Sequence, residues 1–97
     1  MCGISAIIAK RPVNVEAIHA MLSRLIHRGP DGEGVWASEN RRICFGHRRL
    51  SIIDRTEMGA QPMVDSTGQY VIIFNGEIYN YVELKKRLQS NGVSFIS

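Results

Sequence analysis

An apolar run rich in isoleucine, Gly-Ile-Ser-Ala-Ile-Ile-Ala, occupies residues 3–9 and begins almost at the first residue. The run is shorter than an ordinary helix, and Lys10, Arg11 and Pro12 end it. These features predict a buried β-strand, so a fold for this chain must include a strand at its N-terminus. Cys2 immediately precedes that strand.

Two helices are predicted from caps and apolar spacing. Asn14 is expected to cap a helix running to about His27. Asn80, with Glu83 at the capping-box position, is expected to begin a second helix that Gly92 ends. The expected apolar face of the first helix comprises Val15, Ile18, Leu22, Leu25 and Ile26, and that of the second includes Leu84 and Leu88.

Further strands complete the predicted fold. They are expected at residues 34–38, 42–47, 70–74 and from 93 onward, with a polar turn at 39–40 and an irregular loop over 54–69. Helices and strands do not alternate as in a doubly wound sheet, so the pattern predicts an α+β fold with largely antiparallel sheets packed by helices. Because the chain stops inside a predicted strand, we expect it to be a fragment of a larger domain.

The composition excludes several classes of protein. A length of 97 residues suffices for one small domain, and 44% hydrophobic with 22% charged residues is ordinary for a globular chain. The net charge is +3, but the basic residues are scattered rather than gathered in a stripe, so no nucleic-acid binding is predicted. The chain has neither a signal-peptide pattern nor an apolar stretch of membrane-spanning length, which predicts a cytoplasmic protein that does not bind membranes.

Cys2 is the first candidate for chemistry. One interpretation is a small buried hydrophobic residue that follows the start methionine. The other is a nucleophile: once Met1 is removed, the α-amine of Cys2 lies beside its own thiol and can take its proton. An α-amine with a pKa of about 7.7–8.0 suits a general base at neutral pH. Cys44, between Ile43 and Phe45, is expected in the core. The two cysteines lack the paired spacing of a disulfide framework or a metal site, so neither is predicted.

Asn75 and Gly76 follow the predicted strand at 70–74. An Asn-Gly pair is a strong β-turn signal. The same pair can also present two donors to an oxyanion, the asparagine side-chain amide and the glycine N–H. Arg49 is similarly either a solvated residue at a strand end or a bidentate ligand for the α-carboxylate of an amino acid. The residue types alone leave these alternatives open.

Two histidines and one loop complete the candidates. His27 and His47 are either catalytic bases or metal ligands, or else polar residues of the core and loops. The second interpretation is favoured because neither has a histidine or carboxylate at metal-ligand spacing. Arg28 and Asp31 are expected to form a pair that stabilises the glycine- and proline-containing loop between them.

Five sequence blocks occur together in one order. They are Met-Cys-Gly-Ile at the start, Arg28-Gly29-Pro30-Asp31, Arg49-Leu50-Ser51-Ile52-Ile53-Asp54, Gln61-Pro62 and Phe74-Asn75-Gly76-Glu77-Ile78-Tyr79-Asn80. In this order and spacing they resemble the N-terminal class II glutamine amidotransferase domain of glutamine-hydrolysing asparagine synthetases. The resemblance extends over essentially all 97 residues. The Arg-Gly-Pro-Asp block distinguishes this branch from relatives that feed sugar-phosphate or purine precursors.

The resemblance implies a four-layer αββα fold of the N-terminal-nucleophile type, of which residues 1–97 form the N-terminal part. It implies that Cys2 attacks the side-chain amide of glutamine while Asn75 and Gly76 hold the oxyanion. Arg49 and Glu77 would bind the backbone groups of glutamine. The same pocket would be lined by Leu50, Ser51, Ile52, Ile53, Asn75 and Gly76.

The resemblance also implies binding partners and a use for the released ammonia. The released ammonia would serve the ATP-dependent conversion of aspartate to asparagine in a separate synthetase domain, absent from these 97 residues. ATP and Mg²⁺ would belong to that domain, and this segment is expected to hold no cofactor and no metal. The partners would be L-glutamine and the synthetase domain, and a homodimer is compatible with the family.

Two alternatives remain within the same fold. One is an amidotransferase that amidates another carboxylate, such as a sugar acid of a surface polysaccharide. The other is an inactive fragment that binds glutamine without hydrolysing it, because the family supplies a glutamine-binding acidic residue beyond Ser97.

Overall fold

The computed structural model describes residues 2–50 and 59–95. In chain order the elements are β1 (Gly3–Ile8), α1 (Val15–Ser23), β2 (Gly32–Ala37), β3 (Ile43–Arg49), β4 (Met63–Val64), β5 (Val71–Ile72) and α2 (Tyr81–Ser90). The strand pairs of both sheets are antiparallel. The predicted α+β class with antiparallel sheets is therefore confirmed, as are the first strand and the pair of strands in the middle of the chain.

One helix packs on a three-stranded sheet whose strand order is β1-β3-β2. Ile18 and Leu22 of α1 are fully buried, as is Cys44 of β3. At the centre of the contact, a Cβ added to Gly46 would lie 2.9 Å from Cδ1 of Leu22 and 3.0 Å from Cγ1 of Ile18. Glycine therefore lets the helix approach the sheet closely. Cys44 is a core residue, as predicted.

α1 begins as predicted but ends earlier. The Asn14 side chain accepts a hydrogen bond from the Glu16 N–H at 3.0 Å, which confirms the cap. The helix ends at Ser23 rather than near His27, because the following N–H groups bond three residues back in tight turns. This tighter winding rotates Ile26 away from the expected apolar face and leaves its side chain 49% exposed.

The second sheet is a short hairpin. The strand predicted at 70–74 extends only over Val71–Ile72, because its partner Met63–Val64, inside the predicted loop, is equally short. Asp65 closes the turn by accepting the Tyr70 N–H at 3.0 Å, and Gly68 supplies a φ of +74°. The part of the predicted loop at 54–58 lies outside the described residues.

α2 lies at the C-terminal end of the described chain. Asn80 precedes it, but its side chain forms no cap hydrogen bond, since its φ of −99° and ψ of 30° are not the extended conformation of a capping residue. The predicted capping box is therefore wrong. Gly92, at φ +88°, follows the helix as predicted. Leu84 and Leu88 are 38% and 44% exposed, so residues 2–50 and 59–95 leave the apolar face of α2 uncovered.

The strand predicted from residue 93 is also not formed over 93–95, where the backbone has no ladder partner among the described residues. Residue 96 lies outside that part. Within the described ranges, no helix combines the length and apolar character needed to cross a bilayer.

Candidate functional site

Cys2 lies at one end of the three-stranded sheet, directly beside the residue that follows β3. The Leu50 N–H donates a hydrogen bond to Sγ of Cys2 at 3.3 Å, and Sγ lies 3.9 Å from the Leu50 carbonyl oxygen. Gly3 is paired with Arg48, so one further step in this register sets Cys2 opposite Arg49. Side chains of residues opposite each other project from the same face of a sheet. The thiol and the Arg49 side chain therefore belong to one face.

A loop after α1 holds the backbone of Cys2 in place. Nε of Arg28 donates to the carbonyl oxygen of Cys2 at 3.1 Å. This contact differs from the predicted role of Arg28 as a partner of Asp31. Because the guanidinium is bound through Nε to the carbonyl of the candidate nucleophile, the loop fixes the position of the N-terminus relative to β3.

The same loop is attached to the end of β3 by two hydrogen bonds and lies close to its backbone. Nε of Arg48 donates to the Gly29 carbonyl at 2.8 Å, and the Asp31 N–H donates to the Arg49 carbonyl at 2.9 Å. A Cβ on Gly29 would lie 2.4 Å from the carbonyl carbon of Arg48. Only glycine therefore allows this backbone-to-backbone approach.

The segment that leads to Asn75 lies against the face of the sheet opposite α1 at Gly34. A Cβ on Gly34 would lie 1.9 Å from the Gln61 carbonyl oxygen, so this segment rests directly on β2. The Gln61 side chain in turn accepts the Phe74 N–H at 2.6 Å. Phe74, immediately before Asn75, is therefore attached to the same face that carries Arg49.

Of the predicted site residues, the structure brings Cys2 and Leu50 into contact, and Arg49 directly precedes Leu50. Ser51, Ile52 and Ile53 lie outside the described residues. Asn75 is half-buried, whereas Gly76 and Glu77 are exposed. Within residues 2–50 and 59–95, no hydrogen bond links Cys2 to Asn75, Gly76 or Glu77, so their roles stay predictions.

The two candidate histidines, His27 and His47, differ in environment. His27 is exposed, and His47 is 1% exposed at the centre of β3. Burial lowers the pKa of His47; the nearby Phe74 backbone opposes this shift and the positive charge of Arg49 adds to it. Neither ring nitrogen has a partner of hydrogen-bond geometry among the described residues. The same part of the chain contains no group of three or more histidine, cysteine or acidic side chains able to bind a metal.

The chain matches the family of the glutamine amidotransferase domain over residues 1–97. It belongs to this family. Over 100 aligned positions it is 44% identical to "Asparagine synthetase [glutamine-hydrolyzing] 1" of Bacillus subtilis, covering 98% of this chain and 15% of that protein. It is 41% identical to "Putative asparagine synthetase [glutamine-hydrolyzing] 2" of Methanocaldococcus jannaschii, covering 90% and 20%. It is also 41% identical to "Amidase chry2" of Gibberella zeae, covering 91% and 15%.

These matches confirm the predicted resemblance. The chain spans about 15–20% of the length of these relatives. No solved structure matches the chain.

Sequence reasoning missed two contributions to this candidate site. The first is the bond from Arg28 to the Cys2 carbonyl, which joins residues 26 positions apart. The second is the requirement for glycine at position 29, which depends on contact with β3. The Arg-Gly-Pro sequence after a helix was the available signal, but it identifies a loop without saying what the loop contacts.

Proposed function

We propose that this chain is the glutaminase part of a glutamine-hydrolysing asparagine synthetase. In this proposal it hydrolyses L-glutamine and supplies ammonia to a separate domain that converts aspartate to asparagine. The observation that carries the proposal is the contact of the Cys2 thiol with the Leu50 backbone, directly after Arg49, in a chain of the glutamine amidotransferase family. Two of the similar proteins carry the words "asparagine synthetase" in their names, which favours aspartate over a polysaccharide sugar acid as the acceptor.

The reaction begins with Met1 removed and the α-amine of Cys2 free. The amine takes the thiol proton, and the thiolate attacks the side-chain carbonyl carbon of glutamine to form a C–S bond. The resulting tetrahedral oxyanion collapses, the C–N bond breaks, and the amine returns its proton to the departing ammonia. Water then hydrolyses the thioester, which releases glutamate and restores the thiol.

The oxyanion is held by the Asn75 side-chain amide and the Gly76 N–H. Attachment of the preceding residue, Phe74, to Gln61 supports this assignment, because it constrains the start of the Asn-Gly segment on the face shared with Arg49. Donors fixed before the reaction stabilise developing charge without having to reorganise.

Arg49 binds the α-carboxylate of glutamine and Glu77 its α-ammonium group. The position of Arg49 supports its role: it directly precedes Leu50, whose N–H donates to the Cys2 thiol. Leu50, Ser51, Ile52 and Ile53 line the pocket beside it. The acidic residue that completes glutamine binding would lie beyond Ser97.

The wider setting is part of the same proposal. The described helix and antiparallel sheets would contribute to a four-layer αββα domain of the N-terminal-nucleophile type. The synthetase domain would bind ATP and Mg²⁺, and this chain would need no cofactor of its own. The complete protein would act in the cytoplasm, with a homodimer as the assembly to test.

Steady-state kinetics of the full-length enzyme test the proposal. Cys2→Ala should abolish asparagine synthesis from glutamine and preserve synthesis from free ammonia. Cys44→Ala is the matched control, because Cys44 is buried in the core and should affect stability without selecting between nitrogen sources. Equal loss of both activities in Cys2→Ala would mean that Cys2 has a structural role.

Two further variants separate binding from catalysis. Asn75→Ala should lower kcat for glutamine hydrolysis by about 100- to 1,000-fold with little change in KM, since the charge that it stabilises exists only after attack. Arg49→Ala should mainly raise KM, since the carboxylate is present in both ground and transition states. Unchanged turnover in folded Asn75→Ala would instead identify Asn75-Gly76 as a plain β-turn.

A further inference from the structure

His47 is a buried polar residue that the proposed reaction does not use. Its side chain is 1% exposed, and both ring nitrogens are inaccessible to solvent and lack hydrogen-bond partners among residues 2–50 and 59–95. A buried polar group without a partner is costly, and native proteins rarely leave one without a reason. We therefore expect the imidazole ring to form a hydrogen bond in another state of the protein.

The surroundings of His47 point to that partner. In the register of the sheet, Ile4 and Gly34 stand on either side of His47, on the face opposite α1. The segment from Gln61 covers this face at Gly34 and is joined to Phe74 through the Gln61 side chain. The Phe74 backbone lies near enough to the imidazole to oppose the effect of burial on its pKa.

We propose that His47 is a positioning residue for the amidotransferase reaction: in the glutamine-bound enzyme its imidazole N–H donates to the Phe74 carbonyl and so orients Asn75 and Gly76. The inference rests on the proposed function. Phe74 is then held at both ends of its backbone, its N–H by Gln61 and its carbonyl by His47. The carbonyl belongs to the peptide unit that joins Phe74 to Asn75, so fixing it limits rotation of the oxyanion donors.

The burial of His47 suits this role. Water cannot reach either nitrogen, so a hydrogen bond to Phe74 competes with no solvent partner. His47 is on the same face of the sheet as Arg49, because the two residues are two positions apart along β3. Glutamine binding beside Arg49 and ordering of the segment at Phe74 therefore take place over the same surface. His47 itself is too buried to touch the substrate and acts through Asn75 and Gly76.

The test compares His47→Gln with His47→Met in the full-length enzyme, because these side chains have similar shape and only glutamine can donate. His47→Met should lower kcat for glutamine hydrolysis by roughly three- to tenfold, as expected for one neutral hydrogen bond, with KM changed by less than about twofold. His47→Gln should recover most of kcat. Synthesis from free ammonia should be unchanged in both. His47→Leu provides a second variant without a donor should His47→Met fail to fold.

Combination with Asn75→Ala identifies the route of the effect. If His47 acts through the oxyanion donors, adding His47→Met to Asn75→Ala should cause little further loss of kcat. If the fold-losses in kcat of His47→Met and Asn75→Ala multiply in the double variant, the positioning role is refuted. Equal kcat for His47→Met and His47→Gln would also refute it. Absence of glutamine hydrolysis in the wild-type enzyme would instead refute the proposed function itself, so the two failures are distinguishable.

Discussion

Gly29→Ala is expected to destabilise the protein because it drives the loop after α1 away from the end of β3. The added Cβ would lie 2.4 Å from the Arg48 carbonyl carbon, 2.5 Å from its oxygen and 2.6 Å from the Arg49 nitrogen. All three are backbone atoms of β3, so no side-chain rotation can relieve the overlap. The loop or the strand end must move.

The size of the effect follows from what that movement breaks. Overpacking in a well-packed region costs about 1–3 kcal/mol. Displacement also weakens the bond from Arg48 Nε to the Gly29 carbonyl, which adds about 1 kcal/mol. A total of about 2–4 kcal/mol is a large share of the roughly 5–15 kcal/mol by which a domain is stable. Gly32→Ala is the matched control, because its Cβ would meet only the Arg49 Cβ at an ordinary 3.7 Å.

Urea unfolding followed by fluorescence of Trp36, the single tryptophan, measures the difference in this chain. With a slope of about 2 kcal/mol per molar urea, the midpoint of Gly29→Ala should fall by roughly 1–2 M, whereas that of Gly32→Ala should barely move. Trp36 suits the assay because it packs against Phe45 in the same sheet, with ring centroids 5.6 Å apart. Equal midpoints for the two variants would refute the close contact between Gly29 and β3.

Three further predictions concern the caps, the buried histidine and the N-terminus. Asn14→Ala should cost about 1 kcal/mol of unfolding free energy and Asn80→Ala much less, because only Asn14 makes a cap hydrogen bond; urea midpoints compare them. The folded pKa of His47 is below its unfolded value, so the unfolded state binds more protons as pH falls below about 6.5. Wild-type stability should therefore decrease below that pH, and the decrease should be smaller in His47→Gln; equal pH dependence would contradict this. Intact-mass spectrometry of active full-length enzyme should show Met1 removed, and full glutaminase activity with Met1 retained would refute the role of the α-amine of Cys2.

The elements that the sequence predicted well depend on local interactions. β1 and the start of α1 follow from a short apolar run and from a capping asparagine whose partner is two residues away. The burial of Cys44 follows from its apolar neighbours. Such features need no knowledge of distant parts of the chain.

The features that were missed depend on distant partners or on backbone angles. The extent of β5 is limited by a two-residue partner within a segment that reads as a loop. Asn80 and Glu83 have the right identities for a capping box, but the φ and ψ of Asn80 do not allow it.

In the candidate site, too, local features were predicted and features that depend on distant residues were missed. Residue types and order identified Cys2 and Arg49, but their placement on one face depends on the register of β1 against β3, which joins residues 35 to 45 positions apart. The bond from Arg28 to the Cys2 carbonyl and the burial of His47 likewise arise only once the strands are paired.

Covalent labelling with a glutamine-like electrophile tests most directly whether Cys2 is the nucleophile of a glutaminase. Full-length enzyme is treated with diazo-oxo-norleucine, with and without excess L-glutamine, and the modified peptide is identified by tandem mass spectrometry. We predict one adduct, on a Cys2 that is the first residue of the chain, formed in step with loss of glutamine-dependent activity and prevented by glutamine. Cys44, fully buried, should stay unmodified. Loss of activity with the adduct on Cys44, or an unlabelled Cys2 in glutaminase-active enzyme, would contradict the assignment of Cys2 as the nucleophile.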